Sequence, residues 1–264
     1  MSELFQYVVA GLGVGFLVGL TGVGGGSLMT PILVFMFGHP PGLAVGTDLL
    51  FASGTKATGT LVHHKHSAVN WRIVRLMCLG SIPAAILTLT ALWLAQWSSA
   101  KNAFVMGLLG ALVILTGLQA VGLQLTKLIG VERRVVTTEP GVQKPWLTIA
   151  GGAVLGALVA LTSIGAGVMG TVLLRTLYPK LEARTLVGTD LAHAIPLTLV
   201  AGAGYLAMGS IDFSALAWLL VGSTPGVIAG SLFSSRLNEG ALRKAIGTLL
   251  LIIGTKTLLA AAAI

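Results

Sequence analysis

The chain has 264 residues, of which 55% are hydrophobic and 9% charged. That charged share lies far below the roughly 25% of soluble domains, so it excludes a soluble enzyme or a nucleic-acid module despite a formal net charge of +8. The single cysteine, Cys78, excludes an internal disulfide and a cysteine-built metal or iron–sulfur centre.

The first apolar run starts at Leu4 behind Glu3, with no basic residue ahead of it, and reads as a retained helix rather than a cleaved signal peptide. It is interrupted at 19–33, GLTGVGGGSLMTPIL, where Gly22, Gly24, Gly25 and Gly26 fall within five positions. Apolar runs long enough for a ~30 Å hydrocarbon core follow at 43–62, 72–95, 103–121, 186–205, 214–234 and 245–263. They must be helices, because lipid offers backbone groups no other partner. A polar stretch at 122–145, carrying Lys127, Glu132, Arg133, Arg134, Glu139 and Lys144, separates a first membrane repeat (1–121) from a second (146–264).

The two parts repeat one block. LTGVGGG at 20–26 matches LTSIGAG at 161–167, and VGTD at 45–48 recurs at 187–190. VNW at 69–71 faces IDF at 211–213, and GSIPA at 80–84 faces GSTPG at 222–226. Offsets of 141 and then 142 mark a duplication. Each copy is a Gly-broken segment followed by three full helices. If each broken segment is a hairpin that returns to its starting side, 13 of the 16 basic residues fall in the cytoplasm. These are Lys65, Arg72 and Arg75; the linker's Lys127, Arg133, Arg134 and Lys144; Arg175, Lys180 and Arg184; and Arg236, Arg243 and Lys244. The positive-inside rule therefore predicts an all-α polytopic protein of two inverted repeats, with a cytoplasmic linker and both termini outside.

Inverted repeats with broken helices in matching positions point to a secondary transporter whose site lies near the midplane. The glycines allow a turn inside the membrane. The arms leaving the turns start helices near Ser27 and near Ala166, where unpaired N–H groups and the helix dipole favour an anion. The predicted anion-binding set is Thr21, Gly22, Gly24, Gly25, Gly26, Ser27 and Thr30 in the first copy, with Thr162, Ser163, Gly165 and Gly167 in the second. Close helix packing by small residues is the competing reading. A nucleotide loop fails, since no Gly-Lys-Ser/Thr follows and no strand precedes.

Asp48 and Asp190, each behind Gly-Thr (Thr47, Thr189), are acids inside apolar spans and serve either ion coupling or the capping of nearby N–H groups. Lys56 lies eight residues after Asp48, about 80° further round the helix; it is an anion attractant or the partner of Asp48. Position 198, its counterpart, is Thr. His193 follows Asp190 by three residues and is its hydrogen-bond partner, a proton relay or a packing residue. HHKH at 63–66 reads as a basic anchor at the cytoplasmic face rather than a metal site. Pro83 and Pro225 occupy matching positions inside long helices, as hinges or static bends.

Together, GVGGGSLMTPIL, AVGTDLLFASGTKATGTLVHHKHSAVNW and GSIPA in the first copy, with VGTDLAHAIP and GSTPG in the second, resemble the sulfite exporter TauE/SafE family. The resemblance spans nearly the whole chain and implies transport of sulfite, sulfoacetate or other sulfonates across the bacterial cytoplasmic (inner) membrane, mostly outward. The second turn departs from the first, with TSIGAGVMG for TGVGGGSLM. The expected function is export of a small sulfur-containing anion held between two hairpin tips. The alternatives are proton- or sodium-coupled uptake of a sulfonate, a cation transporter using Asp48 and Asp190, and an anion pore. No catalytic residues, cofactor or metal are expected; the partners are the anion and the lipid bilayer, and a homodimer is allowed.

Overall fold

The computed structural model describes residues 2–21, 26–63, 69–94, 99–121, 145–165, 167–233 and 239–262. Among them are ten helices and no strand. They are α1 (Ser2–Thr21), α2 (Gly26–Phe35), α3 (Pro41–His63), α4 (Trp71–Leu94), α5 (Ser99–Val121), α6 (Pro145–Thr162), α7 (Val168–Leu177), α8 (Ala183–Ala207), α9 (Phe213–Phe233) and α10 (Glu239–Ala262). Seven of these (α1, α4, α5, α6, α8, α9 and α10) are long and apolar enough to cross a membrane. The helix α3 has similar length, 23 residues, but carries Asp48, Lys56 and several hydroxyls. The linker at 122–144 and His64–His66 lie outside the described residues.

Sequence chemistry sets the boundaries. Pro41 and Pro145 stand first in α3 and α6, where a missing N–H costs nothing. Asn70 and Asp212 precede α4 and α9 as caps: Asn70 Oδ1 accepts from Ile73 N at 3.3 Å, and Asp212 Oδ1 from Ala215 N at 2.9 Å. Helices α4 and α9 continue through Pro83 and Pro225. The surface is apolar where a soluble protein's would be polar: Leu79, Leu87, Val154, Val221, Leu232 and Ile252 all stand exposed. Trp71 and Trp93, both exposed, bracket α4 about 33 Å apart at 1.5 Å per residue, the spacing of two interfacial aromatic belts.

Both broken segments fold back as hairpins. In the first, Tyr7 near the start of α1 stacks on Phe37 beyond α2, with centroids 4.2 Å apart, and its hydroxyl meets His39 Nε2 at 3.1 Å. The chain has returned to the level from which it set out. In the second, Thr148 Oγ1 near the start of α6 meets Tyr178 Oη beyond α7 at 2.5 Å. Thr148 is the counterpart of Tyr7, and Tyr178 of Phe37, at an offset of 141.

The helices pair across the duplication. The helix α1 packs along α9, and α6 along α4, each pair parallel. A Cβ on Gly11 would lie 2.2 Å from Leu219 O, and one on Gly15 2.5 Å from Ser223 O. At the matching positions, a Cβ on Gly152 would lie 2.5 Å from Met77 O, and one on Gly156 2.1 Å from Ser81 O. These glycines let the backbones touch, the usual way membrane helices associate. The self-matching pairs run antiparallel: Gly46 lies against Tyr205 and Gly202 against Leu50 between α3 and α8, while Gly110 lies against Leu258 and Gly117 against Gly247 between α5 and α10. Antiparallel self-pairs are what a two-fold axis perpendicular to the helices produces. The core drawn together by this pairing includes Val45, Leu49, Phe51, Ile164, Leu197, Tyr205 and Leu219 from both halves.

Candidate functional site

The first turns of α2 and α7 meet the second and third turns of α3 and α8 at a group of buried polar side chains. Asp48, the eighth residue of α3, is fully buried and accepts from Thr30 Oγ1 of α2 at 2.5 Å through Oδ2. Asp190 repeats this on α8: its Oδ2 accepts from Thr171 Oγ1 of α7 at 3.2 Å. Thr171 is the counterpart of Thr30 at an offset of 141. Its hydroxyl also reaches the Gly167 carbonyl. A Cβ on Gly170 would fall 1.9 Å from Asp190 Oδ1, so this glycine makes the space in which the carboxylate lies.

Lys56, 3% exposed, sits within electrostatic reach of both Asp190 and Asp48. Thr198, in the matching place, spends its hydroxyl on Ala194 O of its own helix at 2.9 Å. His193 does not bond to Asp190, the partner its spacing suggested. Its Nε2 lies 2.8 Å from Ser81 Oγ on α4, because α4 and α8 pack side by side and bring that hydroxyl to the ring.

The second tip is held by its own backbone. Thr162 Oγ1 donates to Leu158 O at 2.7 Å and accepts from Ile164 N at 3.2 Å. Ser163 takes a left-handed φ of 59°, and Gly165 and Gly167 have φ of 124° and 129°; the last two are open to glycine and strained for other residues. Gly170 N and Thr171 N donate to the carbonyls of Gly165 and Gly167 at 3.1 and 3.2 Å. Ser163 stands against the Asp48 carboxylate of the other repeat, but too loosely for a hydrogen bond. Among the described residues, four buried polar atoms make no hydrogen bond: Asp48 Oδ1, Ser163 Oγ, Asp190 Oδ1 and His193 Nδ1.

The hydroxyls of the two Gly-Thr-Asp motifs act elsewhere. Thr47 Oγ1 accepts from Asp212 N at 3.0 Å, and Thr189 Oγ1 from Asn70 N at 3.0 Å. Each ties the start of a helix in the other repeat. Of the first tip, Gly22, Gly24 and Gly25 lie outside the described residues, as do the side chains of Thr21 and Ser27; Gly26 is the first residue of α2. Sequence reasoning passed over Thr171 and Ser81. The 141 offset from Thr30 was the available signal for Thr171, while nothing in the sequence announced Ser81.

The sulfite exporter TauE/SafE family profile matches residues 7–257. The chain is 37% identical to "Probable membrane transporter protein YjnA" of Bacillus subtilis (strain 168) over 251 residues, 94% of this chain and 97% of that protein. It is 25% identical to "Probable membrane transporter protein YdhB" of the same organism over 232 residues, 88% of this chain and 91% of that one. No solved structure matches the chain.

Proposed function

Since the chain belongs to the sulfite exporter TauE/SafE family and is a multi-pass membrane protein, we propose that it transports a small sulfur-containing anion, sulfite or a sulfonate, out of the cell across the cytoplasmic membrane. The observation that carries this reading is the pair of hairpins, each closed at its base and each carrying on its second arm a threonine bonded to the buried aspartate of a long helix. The anion is held at midmembrane by Ser163 and the first N–H groups of α7 and α2, where partial positive charge collects without a second buried lysine. Lys56 supplies the full positive charge. Thr30 and Thr162 contribute through Asp48 and the turn, since their hydroxyls are already donated.

The antiparallel pairing of α3 with α8 and α5 with α10 supports inverted repeats, and the loop charges support a topology with both termini outside. Alternating exposure then follows from one set of helices rocking on the other. An inside-negative potential favours export, because each elementary charge is worth roughly 2.3 kcal/mol per 100 mV and a sulfite dianion carries two.

The test is sulfite flux in proteoliposomes whose orientation is read from impermeant labelling of a cysteine placed at Lys180, a cytoplasmic position in this topology. Saturable, potential-driven flux should fall at least tenfold in Gly167→Leu, which strains the start of α7, and survive in Gly13→Leu, whose new side chain meets open space. Flux that does not saturate, or that survives Gly167→Leu in folded protein, sinks the tip-bound anion.

A further inference from the structure

Among the described residues, the buried carboxylates and ammonium groups are Asp48, Asp190 and Lys56. Fully ionised, they sum to one negative charge in the middle of a site read above as anion-binding. That charge would repel the ligand, and an uncompensated ion in a low-dielectric interior is neutralised in preference to being kept. The duplication supplies no second cation. The counterpart of Lys56 is Thr198, so one ammonium group stands near two carboxylates, Asp48 and Asp190. That threonine is turned to its own helix.

Ser163 Oγ stands against the Asp48 carboxylate, and it and Asp48 Oδ1 are both among the buried polar atoms left without a hydrogen bond. A carboxylic acid O–H on Oδ1 gives both a partner, while Oδ2 keeps the Thr30 hydroxyl. We propose that Asp48 carries a proton in the anion-loaded protein, donated as a hydrogen bond to Ser163 at the tip of the second hairpin, and that this proton crosses the membrane with the anion. Oδ1 takes the proton from water on one side and returns it to water on the other; no other bond changes. Among the described residues the charged group facing Asp48 is Lys56 on its own helix, which in turn faces Asp190 and His193 on α8. The proposal rests on the anion-transport reading and adds the coupling ion and its residue.

Infrared spectroscopy of the full chain in lipid tests it directly. At neutral pH, with saturating methanesulfonate or sulfite, the protein should show the C=O stretch of a protonated carboxylic acid. Asp48→Asn removes that band, Asp190→Asn leaves it, and Ser163→Ala shifts it to higher frequency by deleting the hydrogen bond. No band at neutral pH, or a band that disappears with Asp190 instead, overturns the proposal. A second arm follows methanesulfonate, which does not titrate near neutral pH, beside a pH-sensitive dye in proteoliposomes. About one proton should accompany each anion, and the ratio should fall to zero in Asp48→Asn. Anion flux without dye response overturns the coupling and leaves anion transport intact. The band without flux of either sulfite or methanesulfonate leaves the Asp48 proton standing and removes the sulfur-anion reading.

Discussion

The two hairpins share a plan and differ in how they are closed and charged. The first is closed by an aromatic stack and a Tyr7–His39 contact, with His39 Nε2 also 3.8 Å from Asp212. The second is closed by one buried hydroxyl pair, Thr148 with Tyr178. Beside the tips, one long helix carries Lys56 and its counterpart carries Thr198. The parts that hold helices together, the glycine contacts and the Thr47 and Thr189 bonds, are duplicated almost residue for residue. Duplication has thus preserved packing and let charge diverge at Lys56 and Thr198.

Substitutions at matched positions sharpen this contrast. The largest effect is expected at Lys56→Met, which takes the buried cation away from both Asp48 and Asp190; leaving a buried charge uncompensated costs about 3–5 kcal/mol. Thr198→Val should cost little, since that hydroxyl bonds only within its helix. Thermal unfolding in detergent should separate the two widely, and equal shifts would refute the asymmetry. Next come Gly15→Leu and Gly156→Leu, which force a side chain into a facing carbonyl and should each cost about 1–3 kcal/mol. Here the two repeats should respond alike, and a silent Gly156→Leu would break the claimed equivalence. Smallest are Thr47→Val and Thr189→Val, each leaving a helix-start N–H without its acceptor at about 1 kcal/mol. Matched losses in melting temperature are expected, and a loss at one site alone would count against the shared role.

Much of this architecture could be read from the sequence. Hydropathy marked the long helices to within a few residues of their ends, since lipid forces length and composition together. The glycine cluster and the loop charges pointed to the hairpins. What escaped is contact chemistry between residues far apart in the chain. Thr47 meets Asp212, 165 positions away, and Ser81 meets His193, 112 positions away; spacing along one helix had offered Asp190 to His193 instead. Thr162 looked like a ligand because hydroxyls at a turn face either outward or back to the backbone, and here the backbone claimed it. Isolated glycines such as Gly11 and Gly152 carried no signal of their own, because such residues are common in membrane helices.

The parallel packing of α1 on α9 also has a consequence for biosynthesis. Gly11 leaves the ribosome 208 residues before Leu219, the residue whose carbonyl it will touch. At 5–20 residues per second, that is a wait of roughly 10–40 s. For that time the glycine face of α1 is inserted without its mate, while α6 emerges after α4 and docks as soon as it is made. The second-made hairpin is therefore the first to find its permanent neighbour.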